Sequence, residues 1–142
     1  MYRKILVALD HTAADKTLLP HVTQLAERLG SELMLVHVAD GWAARNFDHL
    51  KLAESEEMRD DRSYLEDAAD VIRTRGIQVS VRLALGNPPT EILKVAESNN
   101  CDLIAMTTHG HRLLGDLLHG STIEAVRHRC FVPLLVVRAK GG

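Results

Sequence analysis

The chain has 142 residues, 46% of them apolar and 25% charged, with a net charge of −2. That size and balance describe one globular domain over residues 1–142, large enough to bury a single ordinary core. The near-neutral charge supplies no basic field, which sets nucleic acid aside as a main partner, and no run approaches the roughly 18 apolar residues of a membrane span.

The start, MYRKILVALD, enters a short apolar stretch with no h-region or cleavage site, so the expected compartment is the cytoplasm. Four near-continuous apolar runs of strand length follow one another along the chain: Lys4–Leu9, Glu32–Val38, Asp102–Thr107 and Pro133–Val137. Strands of that kind are buried on both faces, as in a parallel sheet covered by helices. A fifth run, Ile77–Leu85, alternates and reads as an edge strand. Between the strands lie helical periods. Asp15–Leu29 turns Leu18, Val22, Leu25 and Ala26 to one side and stops at Gly30. Pro20 inside it predicts a kink or a later start near Leu18. Residues 52–75 form a long charged helix, the segment after Gly86-Asn87-Pro88-Pro89 a third helix, and Ser121–Cys130 a fourth. Residues 39–51, with the only Trp, fit neither period and read as a surface loop. Cys101 and Cys130 read as small apolar residues, and no Cys/His metal spacing is present.

The alternation β-α-β-α-β-α-β-α-β predicts an α/β fold: a three-layer, doubly wound, five-stranded parallel sheet, Rossmann-like. If the winding reverses between the first and fourth strands, the strand order is 3-2-1-4-5. Ligands of such sheets sit beyond the carboxyl ends of the strands where the winding reverses. Two segments meet there: Asp10-His11-Thr12 after the first strand and the stretch Met106–Thr122 after the fourth. The latter holds Gly110, Gly115 and Gly120, with Gly120-Ser121-Thr122 read as opening the last helix. Unpaired amides and a positive dipole at a helix start make an anion cradle. The hydroxyls of Ser121 and Thr122 add donors, and His109, His111 and Arg112 can approach the same anion. Ser121 and Glu124 also have capping-box spacing, and the two roles are compatible. Asp10 has a comparable pair of roles, capping the turn or accepting from a nucleoside. His37, in a buried strand, reads as a hydrogen-bonded core histidine. Neither a P-loop nor G-x-G-x-x-G is present, and no spacing singles out a catalytic base, nucleophile or protein metal site.

At these residues the chain resembles the universal stress protein family, whose ATP-binding branch carries G-x2-G-x9-G-[ST] after its fourth strand. Gly110, nine residues and Gly120-Ser121 match the second half of that pattern, and Thr107 stands where it has its first glycine. KILVALD, SELMLVHV and GSTIEAVRHRCFVPLLVVR extend the resemblance over essentially the whole chain. The resemblance implies ATP as ligand, with Mg²⁺ or Mn²⁺ held mainly by its phosphates. Ala8, Leu9 and Asp10 would meet the nucleoside and Val38 the adenine. Thr107 would narrow the site and offer a hydroxyl to ribose or phosphate. The phosphates would lie along His109, Gly110, His111 and Arg112 and on Gly120, Ser121 and Thr122. It further implies a homodimer paired through Pro133–Arg138, and a regulatory module with at most weak ATP hydrolysis. The alternatives are a dimeric interaction module without nucleotide and a slow nucleotide hydrolase.

Overall fold

The computed structural model describes residues 1–39, 51–108 and 114–139; of residues 51–55 and 114–121 only the backbone is described. In chain order the elements are β1 (Lys4–Ala8), α1 (Asp15–Leu29), β2 (Glu32–Ala39), α2 (Lys51–Arg73), β3 (Val79–Leu85), α3 (Pro88–Ser98), β4 (Leu103–Thr108), α4 (Leu114–Arg129) and β5 (Leu134–Arg138). The strands form one sheet of order β3-β2-β1-β4-β5, parallel at every pairing. The apolar runs therefore encode what they predict, and β3 lies at an edge. Among the described residues no helix is long and apolar enough to cross a membrane.

Period-two alternation divides the core into two layers. Ile5, Val7, Leu33, Leu35 and Ala105 pack with Leu18, Val22 and Ala26 of α1 and Leu65 and Ala69 of α2. Leu6, Ala8, Met34, Val36, Ile104 and Met106 pack with Ile92 and Ala96 of α3 and Val126 of α4. Helices thus cover both faces, and the winding reverses between β1 and β4. Ile5, Leu6 and Val7 are wholly buried, each contributing about 1.5–3 kcal/mol by leaving water.

α1 keeps the bounds Asp15–Leu29 read from the sequence, without the later start near Leu18 that Pro20 offered, whereas the start of α4 differs from the sequence reading. α1 begins at Asp15 and continues through Pro20. Pro20 and Lys16, whose carbonyl loses its usual partner, both lie on the exposed side, where water can take that carbonyl. α4 begins at Leu114 rather than near Gly120. Leu114, Leu117 and Leu118 have helical spacing, and a glycine inside a helix costs only about 1 kcal/mol. Gly120 and Ser121 consequently sit in the body of α4, so Ser121 is no N-cap. Glu124 pairs instead with Arg127 at 2.7 Å.

Candidate functional site

A cleft of about 370 Å³ opens over the carboxyl edge of the sheet at the point of reversal. Its apolar lining comes from the α3/α4 side of the sheet: Ala8, Val36, Val38, Met106, Ile92 and Pro88. Pro88 is held there because Asn87 caps α3, its side chain accepting from the Thr90 amide at 3.2 Å. The polar lining comes from Asp10, His37, Glu57, Asp61, Thr107 and Thr122. The volume falls within the range of small-molecule sites, and an apolar shelf with a few converging polar groups is their usual composition. Among the described residues the lining has three carboxylates and no Lys or Arg. Such a wall favours hydroxyl donors and cations over a bare anion.

Of the residues expected at the site, Ala8, Leu9, Asp10, Val38, Thr107 and Thr122 line this one cleft. His109, Gly110, His111 and Arg112 lie outside the described residues, as do the side chains of Gly120 and Ser121. The free amides of α4 are those of its first turn, at Leu114, because amides farther along a helix bond to carbonyls four residues back.

Thr107 stays in β4 and is absent from the positive-φ positions, which among the described non-glycine residues are Tyr2, His11 and Asn100. Its backbone therefore carries no left-handed strain. The departure from a glycine is a matter of its side chain, which is buried and whose hydroxyl donates to Asp10 Oδ2 at 3.4 Å.

The turn after β1 is organised by Asp15 rather than by Asp10. The Asp15 carboxylate is fully buried and accepts from the amides of Asp10 and His11, each at 2.9 Å, and from the Tyr64 hydroxyl at 2.6 Å. Burial pushes its pKa up, and the hydrogen bonds from Tyr64, Asp10 and His11 offset only part of that. The Tyr64 phenol is pushed up as well, by burial first and then by the carboxylate it donates to. With its amide anchored, His11 takes φ 61° and its ring stacks on Tyr64 at 3.9 Å. Its Nδ1 lies 2.7 Å from Asp61 Oδ1.

His37 is hydrogen-bonded as expected, donating from Nδ1 to the Leu9 carbonyl at 2.9 Å. It also faces the cleft beside Asp61, a role the sequence reading did not assign. His11, His37 and Asp61 come from three separate elements, and only the topology brings them together. The usable signal was that β1 and β2 end side by side, with Ala8 opposite Val36.

The fold and the cleft at its point of reversal define a doubly wound Rossmann-like α/β protein. A family model described as the universal stress protein family matches residues 1–138, and the chain belongs to that family. It is 28% identical to universal stress protein MJ0577 of Methanocaldococcus jannaschii, over 99% of this chain and 97% of that one. The solved structure of MJ0577 superposes with a TM-score of 0.86, covering 100% of this chain and 99% of the other. A universal stress protein from Archaeoglobus fulgidus DSM 4304 is 28% identical with a TM-score of 0.73; the match covers 96% of this chain and spans 44% of that longer one. Another from Archaeoglobus fulgidus, solved in complex with dAMP, shares the fold at 21% identity and a TM-score of 0.67, over 96% of this chain and 98% of that one.

Proposed function

We propose that this protein is a nucleotide-binding regulatory module of the cytosolic stress response, taking ATP with Mg²⁺ or Mn²⁺ on its phosphates. One observation carries the reading: six residues designated from sequence as nucleotide contacts line a single cleft at the reversal of the sheet. The base lies on the shelf of Ala8, Val38 and Met106. The Asp10 carboxylate accepts from a ribose hydroxyl, the role an acidic group takes in the dinucleotide sites of other doubly wound sheets. The phosphates run toward the segment from His109 to Arg112 and the first turn of α4, with Thr122 on the near wall. A divalent ion on the phosphates offsets the carboxylates of the lining. The dAMP complex of a structural relative supports the ligand class.

The protein acts as a homodimer through β5. That strand forms the second edge of the sheet, and Val136 on it is exposed. An open apolar edge invites pairing with another copy. No residue of the cleft is assigned as a catalytic base, and turnover is at most slow positioning-driven hydrolysis. A second reading, a dimeric module that takes no nucleotide, is favoured by the Thr107 side chain standing where the ATP-binding pattern has glycine.

Thermal melting separates the two readings. With ATP and Mg²⁺ at a hundred times the dissociation constant, nucleotide-free protein gains about 2.7 kcal/mol, a shift of several degrees. An unchanged melting temperature at millimolar nucleotide favours the second reading.

A further inference from the structure

Among the described residues, one group of metal-ligating side chains at the cleft is assigned no contact with the nucleotide. His11, His37 and Asp61 each offer one ligand atom, and the three atoms lie within 4.8 Å of one another. Alternation along β2 turns His37 to the same face as Leu33 and Leu35, toward α2, which carries Asp61. The Leu9 carbonyl can only accept, so the proton of a neutral His37 sits on Nδ1 and its Nε2 carries the lone pair. That lone pair lies 3.6 Å from Asp61 Oδ1. Two acceptors facing each other at this distance call for something positive between them, either a proton on Nε2 or a metal cation.

The spacing suits a metal ion. Bonds of about 2.0–2.2 Å in tetrahedral geometry put ligand atoms about 3.3–3.6 Å apart. From Asp61 Oδ1, His37 Nε2 at 3.6 Å already meets that spacing, and His11 Nδ1 at 2.7 Å, now a hydrogen bond, opens by under about 1 Å to reach it. The ligands are also oriented from behind, as metal-binding histidines require. Leu9 sets the tautomer of His37. Tyr64 stacks on the His11 ring, while Asp15 holds both the His11 amide and the Tyr64 hydroxyl.

We propose that His11, His37 and Asp61 form a binding site for a divalent transition-metal ion of the Zn²⁺ type, with the fourth coordination position open to the cleft. Two imidazoles and one carboxylate suit Zn²⁺, Co²⁺ or Ni²⁺ and not the oxygen-seeking Mg²⁺ or Ca²⁺. On binding, a neutral His11 exchanges its Nδ1 proton for one on Nε2 through solvent, which frees the Nδ1 lone pair, and Asp61 exchanges its hydrogen bond for a metal bond. The site needs no nucleotide, so it stands or falls apart from the ATP reading.

The test uses the full chain, stripped with a chelator and free of nucleotide, titrated with Zn²⁺ against a chromophoric competitor. One Zn²⁺ per chain is expected. His37→Gln, Asp61→Asn and His11→Asn should each weaken it at least tenfold, whereas His21→Gln and His128→Gln on exposed helix surfaces should change it less than twofold. His11→Asn guards against misfolding, because His11 is on the surface and asparagine accepts positive φ. Zn²⁺ should also raise the melting temperature of the wild type and not that of His11→Asn. No stoichiometric site, or one that survives both His37→Gln and Asp61→Asn, overturns the proposal.

Discussion

The two ends of the sheet treat their polar groups in opposite ways. At the amino end the charges are closed on the protein itself. Asp102 accepts from the amides of Arg3 and Lys4 at 2.9 and 3.1 Å, joining β1 to β4. Arg75 grips Glu27 through two hydrogen bonds of 2.9 and 2.6 Å, and the Ser31 hydroxyl donates to the Tyr2 carbonyl. At the carboxyl end Asp10, Asp61 and His37 line a cleft, and the buried Asp15 positions the loop that carries His11. One end uses polarity to fasten strands, and the other keeps it available to something from outside. In a parallel sheet the carboxyl end leads into helix starts and the amino end receives helix ends, and the side chains build on that difference.

Several changes would break or sharpen this contrast. The largest effect is expected from Asp15→Ala, which strands two amides and a phenol in a buried turn. A loss of roughly 3 kcal/mol follows from leaving such donors unpaired, measurable by urea unfolding. Nucleotide and Zn²⁺ binding should both fall with it, since the turn holding Asp10 and His11 loosens.

Thr107→Gly comes next, with two effects of opposite sign. Glycine inside β4 should cost about 0.5–1 kcal/mol of stability. Removing the side chain from the throat of the cleft should tighten ATP about tenfold, or about 1.4 kcal/mol. Titration calorimetry reads the second effect directly, and unchanged affinity would mean that Thr107 does not restrict the site.

Asp15 and Asp102, one at each end of the sheet, should also give opposite pH dependence. Unfolded chains titrate both near about 4. Asp15 is raised in the fold by burial, so the folded state keeps its proton longer. Its effect is then to lower stability as pH rises from about 4 through the raised value. Burial also pushes Asp102 upward, but hydrogen bonds from the amides of Arg3, Lys4 and Asp102 itself outweigh it and leave the pKa lowered. Its contribution is present above about 4 and is lost as pH falls through the folded value. Asp15→Asn and Asp102→Asn should therefore flatten the stability profile on opposite sides of pH 4, read from melts across pH 2–7. The smallest effect belongs to Arg75→Ala. Its half-exposed pair with Glu27 should be worth under about 1 kcal/mol, and less at high salt.

How much of this was legible in the sequence follows from what each feature depends on. The strand runs and the bounds of α1 depend on local apolar period, and both read correctly. The start of α4 did not, because Gly115 and Gly120 look like loop residues while Leu114, Leu117 and Leu118 form too short a stripe to outweigh them. Capping of the turn was one of two roles open to Asp10, and Asp15 holds that turn from inside α1 through the amides of Asp10 and His11 while bonded to Tyr64. Asp10 could be placed from the β-α alternation, given a reversal of winding between β1 and β4, whereas Ala8, Leu9, Val38 and Thr107 were legible only through the family resemblance. The neighbouring ends of β1 and β2 hinted at His11 meeting His37, but the approach of Asp61 was not legible, since it requires the packing of α2 on β2.

The central claim is that ATP occupies the carboxyl end of the sheet. Backbone amide NMR of the full chain, with and without ATP and Mg²⁺, tests it residue by residue. The account predicts saturable shifts at Leu9, Asp10, Val38, Thr107 and Thr122, with Ser31, Arg75 and Asp102 at the other end unmoved. Shifts confined to the amino end, or none at millimolar nucleotide, would contradict it.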